Sequence, residues 1–313
     1  MVQMIIIGSI GLDDISTPFG EVKTVLGGSA IYASYAASFF TNSVENKIKI
    51  KLGIVAIAGE DFPKEQLQLL QQRNIDLNGL TIQGKNFRWS GKYEFDMNQA
   101  HTLKTELNSL ADFEADLPEE YKNAQYILLA NNPPMLQLKV IEQLAKPKFI
   151  VLDSMNLWIQ TAKESLIKVI KRVDALVIND SEARMLFNTV NLVQAARQAL
   201  LLGVQYCIIK KGEHGALLFA KDSAGNELHF NAPGYPLELI KDPTGCGDCF
   251  AGGFIGYLAA TDDMSFANIK KAVVYGSTIA SFNAEDFSLN RMKRLTSAEI
   301  DSRYKEFEKM RSF

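Results

Sequence analysis

Residues 242–253 read Asp-Pro-Thr-Gly-Cys-Gly-Asp-Cys-Phe-Ala-Gly-Gly. The small residues Gly245-Cys246-Gly247 let backbone N–H groups crowd toward a common point, and the small, apolar run from Cys249 to Ala260 reads as a buried helix. A flexible turn that opens a helix attracts anions, because its unpaired N–H groups and the helix dipole both favour negative charge. Asp248 stands at the mouth of that turn. A carboxylate beside a phosphate is a poor binding group, since like charges repel. It is well suited to take a proton from an attacking hydroxyl. The chemistry implied is phosphoryl transfer from a nucleotide to an alcohol. The plainer alternative is a Gly-rich turn in which Asp248 serves as a helix N-cap.

The wider stretch resembles the second signature of the ribokinase-like (PfkB) carbohydrate kinases, Asp-Thr-x-Gly-Ala-Gly-Asp. Asp242, Gly245, Gly247 and Asp248 fit it, Thr244 stands in the variable position, Pro243 replaces a Thr and Cys246 replaces an Ala. The resemblance implies that the γ-phosphate of ATP points at the N–H groups of Gly245, Cys246 and Gly247, with Asp248 as general base. Monovalent cation activation is common in the family, and Asp242 and Thr244 lie where a K+ site forms.

Other segments extend the likeness from Gly8 to Asn283. In Gly8-Ser9-Ile10-Gly11-Leu12-Asp13, the family's Asp at this place binds sugar hydroxyls, and a carboxylate can accept from two at once. Gly27-Gly28-Ser29-Ala30 resembles the first signature, whose Gly pair lets the backbone approach the substrate. Many members carry an Asn shortly afterwards; here Tyr32 or Ser34 occupies that neighbourhood. Asn156 ends Asp153-Ser154-Met155-Asn156, similar to an Asp-Pro-Asn segment near the active-site cleft but lacking the Pro. Asn179-Asp180-Ser181-Glu182 matches Asn-x-x-Glu, with Asn179 near the phosphates and Glu182 orienting Mg2+ through water; a helix-capping role fits these residues equally. Lys210-Lys211-Gly212-Glu213-His214-Gly215 corresponds to a Thr-x-Gly-x-x-Gly segment beside the nucleotide. Lys210 stands where Thr is usual, to pair with a phosphate or to lie solvated at a strand end. Asn283 falls on the helix that borders the adenine. Neither a G-x-x-x-x-G-K-[ST] loop nor an H-R-D or D-F-G motif occurs.

These residues need a scaffold that brings them together. Short runs rich in Ile, Val and Leu (Val2–Ile7, Lys49–Ile57, Tyr126–Ala130, Phe149–Leu152, Ala175–Ile178 and Tyr206–Lys210) read as strands buried on both faces. Helical segments fall between them at Ser29–Phe40, Phe62–Arg73, Met135–Ala145, Ala162–Arg172, Ser181–Phe187 and Leu192–Leu202. Pro63 reads as lying one residue inside its helix, and Thr296-Ser297-Ala298-Glu299 as a capping box. This alternation predicts an α/β fold with a mostly parallel sheet covered on both sides. The resemblance makes it a ribokinase-like three-layer sandwich in one domain, 1–313. Residues 12–26 and 85–106 break the alternation. Phe87, Trp89, Tyr93, Phe95 and Met97 share one parity, interrupted by Gly91, and predict strands. An ordinary edge hairpin is the plainer reading; the resemblance assigns both stretches to a small β-sheet lid, apolar on the face over the substrate, and because family lids often pair between subunits it implies a homodimer or a monomer whose lid closes on substrate.

Composition bounds the partners. The chain has 313 residues, 47% hydrophobic, with a formal net charge of −3. No basic footprint for nucleic acid or an anionic membrane surface is present, and no apolar run approaches spanning length. Met1 to Gly8 lacks a basic region and reads as a buried strand, not a signal peptide. Three cysteines argue against a disulfide scaffold and for a reducing cytoplasm. Cys246-x-x-Cys249 lacks the second ligand pair that zinc requires. At a helix N-terminus the Cys246 thiol is expected to be reactive. The resulting expectation is an ATP- and Mg2+-dependent sugar kinase. A nucleoside kinase of the same fold is the alternative, and a catalytically silent sugar or nucleotide sensor is a third reading, disfavoured by Asp248 and Glu182.

Overall fold

The computed structural model describes residues 2–42 and 50–312. After β1 (Met4–Ile7) come β2 (Gly11–Thr17), β3 (Gly20–Gly27) and α1 (Ser29–Thr41). Then follow β4 (Leu52–Ala58), α2 (Lys64–Gln72), β5 (Ile75–Ile82), β6 (Phe87–Tyr93) and β7 (Ala100–Glu106). The middle of the chain alternates: β8 (Tyr126–Leu129), α3 (Pro134–Gln143), β9 (Phe149–Asp153), α4 (Asn156–Thr161), α5 (Lys163–Ile170), β10 (Ala175–Asn179), α6 (Asp180–Phe187), α7 (Leu192–Leu201) and β11 (Tyr206–Lys210). The hairpin β12 (Ala216–Lys221) and β13 (Glu227–Ala232) precedes α8 (Cys246–Thr261), α9 (Phe266–Asn283) and α10 (Ser297–Met310).

Among the described residues nine strands form the main sheet, in the order β13-β12-β11-β10-β9-β8-β1-β4-β5. From β5 to β11 every neighbouring pair is parallel, and the β12–β13 hairpin closes one edge antiparallel. Successive residues feed opposite layers. Met4, Ile6, Leu128, Val151, Val177 and Ile208 pack with α1, α8, α9 and α10. Ile5, Ile7, Leu129, Leu152, Ile178 and Ile209 pack with α3, α5, α6 and α7. Two buried faces explain why these strands read as continuous apolar runs. Chain order reverses at β1, between β4 and β8, so loops at the carboxyl ends splay apart there and leave a crevice.

The expected elements are present with shifted ends. The predicted start at Lys49 lies outside the described residues, and the strand begins at Leu52. Pro63 is the N-cap of α2, ahead of the helix instead of within it. The α10 capping box forms as read, between Thr296 and Glu299. Three main-sheet strands escaped the reading. In β5, Asn78-Gly79 mimics a hairpin turn, but Gly79 lies against β4 at a register shift, where a Cβ would sit 2.4 Å from the Ile54 carbonyl. The edge strands β12 and β13 have only short or weakly alternating apolar patterns.

The second sheet has the order β3-β2-β6-β7, built from the two stretches that broke the alternation. Ile15, Tyr93 and Met97 form its buried cluster, with Trp89 packed against it. The Trp89 ring lies over Gly91, where a Cβ would approach Cη2 to 2.0 Å, so the glycine that interrupts the pattern makes room for the indole. Phe95 departs from the predicted face: it lies beyond the end of β6 and is 94% exposed.

Candidate active site

The crevice is a cleft of about 690 Å³ bounded by the strand ends, the second sheet and the start of α8. Gly245 takes the N-cap position of α8 with φ +75°, a left-handed conformation that favours glycine, and a Cβ there would sit 2.4 Å from the Tyr32 ring. No side chain caps this helix, so the capping alternative for Asp248 is not realised. Thr244, Gly245 and Asp248 line the cleft; Cys246 and Gly247 do not. The Cys246 N–H is already donated to the Pro243 carbonyl at 3.1 Å. Of the three residues expected at the anion site, Cys246 thus has its N–H engaged within the protein, and Gly245 is the one that lines the cleft.

Beside the turn lies a buried charge cluster. Lys210, expected either at a phosphate or in solvent, is 15% exposed in its side chain and donates to Asp153 Oδ1 and Oδ2 at 3.1 and 2.9 Å, the pair standing behind the residues that line the cleft. Burial lowers the affinity of this ammonium for its proton, but Asp153, Glu182 and Asp248 outweigh that and raise its pKa overall. Burial, reinforced by the Asp153 charge and opposed by Lys210, pushes the Asp248 carboxyl up to about 7. Glu182 is likewise pushed up to about 7, first by burial, with Lys210 opposing and Asp153 adding to the shift. Both Asn179 and Glu182 line the cleft and form the capping box of α6. Asn179 N–H donates to Glu182 Oε2 at 2.8 Å, and Glu182 N–H to Asn179 Oδ1 at 2.7 Å.

Across the cleft, Asp13 is 4% exposed and its Oδ1 has no hydrogen-bond partner. Burial, then the Asp242, Asp248 and Asp14 charges, raise its pKa well above the usual range. An orphaned buried acceptor in a cleft is costly unless a ligand satisfies it. Gly27 sits behind this carboxylate, since a Cβ would come within 2.0 Å of Oδ2. Gly28, Tyr32 and Asn156 line the space, Asn156 at the start of α4. Two wall residues were missed in the sequence. Asn131 accepts from the Trp158 indole N–H at 2.7 Å, and both face the cleft. The signal available was the polar pair Asn131-Asn132 directly after an apolar strand and before Pro133.

At the other end Gly212 lines the cleft and Gly215 does not. Asn98, beyond β6, donates to Glu213 Oε1 at 3.1 Å, so the second sheet touches this loop. Asn283 does not reach the cleft: it is fully buried and donates to the Thr244 carbonyl at 2.8 Å, bracing the turn from behind. Asp242, also fully buried, accepts from Thr244 N–H at 2.9 Å and Ser288 N–H at 3.2 Å. The Thr244 hydroxyl donates to Tyr93 of β6 at 3.2 Å.

The Cys246 expectation reverses. Its thiol faces the Ala280 carbonyl at 3.4 Å and Asn283 Nδ2 at 3.5 Å, and burial pushes it up to about 12 despite the Asn283 contact. Alkylation of Cys246 at neutral pH should therefore be slow and insensitive to ATP, because the thiol is turned toward α9 and away from the cleft and its surroundings disfavour the thiolate. Peptide mass mapping checks this; rapid labelling suppressed by ATP would contradict the orientation of the thiol.

Among the described residues no group of three or more His, Cys, Asp or Glu is arranged to hold a metal directly. Mg2+ keeps waters and takes few protein ligands beside substrate phosphates, so a residue acts on it chiefly through water. Glu182 fits such an outer-sphere role: Oε2 is engaged by the backbone, while the side chain still borders the cleft.

Comparison with known proteins identifies the family and the fold. A profile of the pfkB family carbohydrate kinases matches residues 16–293. A cytidine kinase of Thermococcus kodakarensis is 31% identical over 268 residues, 82% of this chain and 89% of that protein. Among solved structures, the nucleoside kinase of Methanocaldococcus jannaschii superposes with a TM-score of 0.74 at 18% identity, covering 97% of this chain and 99% of that one. A putative ribokinase II of E. coli gives 0.77 at 15% identity, covering 99% and 100%. At these identities the structural likeness carries the fold, which is the ribokinase-like α/β fold. The chain belongs to the pfkB family of carbohydrate kinases.

Proposed function

We propose that this protein is an ATP-dependent nucleoside kinase, with Asp248 as the general base. The observation that carries the transfer chemistry is a pair of carboxylates on one cleft, the buried Asp13 with an orphaned oxygen and the half-buried Asp248 at a helix-opening glycine turn. Asp13 would bind hydroxyls of the acceptor. As an acceptor oxygen attacks in line, its bond to the γ-phosphorus forms, the bond to the bridging oxygen of ADP breaks, and the hydroxyl proton passes to Asp248. The Gly245 N–H at the mouth of α8 would face the phosphoryl oxygens. Bound Mg2+ would neutralise triphosphate charge, with Glu182 reached through water. Much of the acceleration comes from positioning and fixed charge, with the base a smaller part.

A nucleoside acceptor is supported by the 31% identical relative named a cytidine kinase and by the rings of Phe87, Trp89 and Trp158 on the cleft wall, suited to a base. A sugar acceptor, the first expectation from the sequence, is the second reading, supported by the family description. Tryptophan emission separates them. Both tryptophans line the cleft, so each would report on a bound acceptor. In Trp158→Phe, which leaves Trp89 alone, cytidine should change the emission and ribose should leave it nearly unchanged. An equal response to both, or none to cytidine, would remove the base-stacking argument.

A further inference from the structure

Lys210 sits at the end of β11, where the chain could have turned its side chain to solvent. Instead the ammonium is carried inward to the first turn of α8. A Cβ built on Gly247 would lie 3.0 Å from Nζ, so the ammonium abuts the backbone of the glycine turn. Asp153 holds it there, at the carboxyl end of neighbouring β9, separated from β11 only by β10. Asp153 is 3% exposed, and Oδ1 also accepts the Ser154 N–H at 2.9 Å. A lysine ammonium has three donors. Two are spent on Asp153, and among the described residues the third has no acceptor within hydrogen-bond distance.

Charge gives this arrangement a purpose. Lys210 is the cation whose charge acts on Asp153, Glu182 and Asp248 beside the glycine turn; without it those carboxylates would repel a triphosphate there, leaving Lys211 and Arg184 elsewhere on the cleft wall. A strand-end Lys kept only as a counter-ion would need no contact with the turn. We propose that Lys210 is a catalytic residue that donates its remaining N–H to the phosphoryl group in transit, and that Asp153 is the positioning residue that fixes the ammonium against the turn. The inference rests on the kinase reading above and deepens it. Lys210 keeps its proton throughout; the proton of the acceptor hydroxyl still goes to Asp248. A fixed cation at this point acts most where negative charge shifts onto the bridging and non-bridging oxygens, so its effect belongs to the transition state.

The test uses the full chain as Lys210→Met, Lys210→Arg, Asp153→Asn and the double variant Lys210→Met/Asp153→Asn. Turnover is read at saturating acceptor, alongside the affinities for MgADP and for MgADP with aluminium fluoride, a mimic of the transferring phosphoryl group. Lys210→Met should lower kcat by about 10²–10³-fold and weaken the fluoride complex similarly, with MgADP affinity changed by less than about fivefold. Lys210→Arg should recover part of that loss. Asp153→Asn should lower kcat less than Lys210→Met, and the double variant should be no worse than Lys210→Met alone, because the two residues act as one unit. The double variant also removes the unpaired buried carboxylate, so it remains informative if Lys210→Met fails to fold. A double variant with wild-type kcat would reduce Lys210 to a structural counter-ion and overturn the proposal. So would equal weakening of MgADP and its fluoride complex. If the wild-type protein phosphorylates no nucleoside or sugar, the kinase reading itself fails; the ratio of the two affinities still decides the role of Lys210.

Discussion

Replacing Asp248 by Asn is expected to lower kcat by about 10²–10⁴-fold with ATP affinity nearly unchanged, the range for loss of a positioned general base. The substitution keeps size and removes proton acceptance. It also removes a charge from a cluster already holding Asp153 and Glu182, so the fold should tolerate it. The pH profile supplies an independent check. A base must be ionised to act, so activity is present above its pKa and is lost as pH falls through it. With burial pushing Asp248 up to about 7, kcat/KM should fall about tenfold per pH unit below that point and level off above it. In Asp248→Asn this limb should disappear. Near-native kcat in the variant, or an acid limb that persists unchanged in it, would contradict the role.

The second large effect falls on the acceptor. Asp13→Ala should lower kcat/KM for the acceptor by about 10²–10³-fold while the KM for ATP stays within about twofold, since hydrogen bonds to a charged group contribute about 1.5–3 kcal/mol each. The effect should concentrate in the acceptor KM if Asp13 grips ground state and transition state alike, and spread into kcat if it aligns the attacking hydroxyl. The cause is local: Asp13 is buried on the cleft with Oδ1 unpartnered, so a ligand that satisfies it replaces nothing within the protein. Asp13→Asn should be milder, because an amide can still accept one hydroxyl. An unchanged acceptor KM in Asp13→Ala, measured in a variant with normal thermal stability, would make this carboxylate structural.

Local residue chemistry made the central turn readable. Gly245, Asp248, Asn179 and Glu182 act through types and spacings that hold within a few residues, and all four line the cleft. The buried parallel strands were readable for a similar reason, because each is an apolar run with no competing period. What could not be read depends on distant partners. The fate of Lys210 turns on Asp153, 57 residues away, and nothing in the Lys-Lys-Gly sequence tells an inward ammonium from a solvated one. The direction of the Cys246 thiol is set by Asn283 and Ala280 on α9. Asn283 itself has the composition of a binding residue yet spends its amide behind the turn. Asn131 and Trp158 form one wall through a contact 27 residues apart that neither residue announces alone. Phe95 kept the parity of its strand after the strand had ended.

The most direct measurement supplies ATP labelled on its γ-phosphate to the wild-type protein and to Asp248→Asn, with Mg2+ and either cytidine or ribose, and identifies the labelled product. The account predicts a labelled nucleoside monophosphate, a kcat/KM for cytidine at least about tenfold above that for ribose, and almost no transfer by Asp248→Asn. Label in ribose phosphate with cytidine untouched would return the acceptor to the sugars. Label released only as inorganic phosphate, or transfer by Asp248→Asn at the wild-type rate, would contradict phosphoryl transfer to a hydroxyl activated by Asp248.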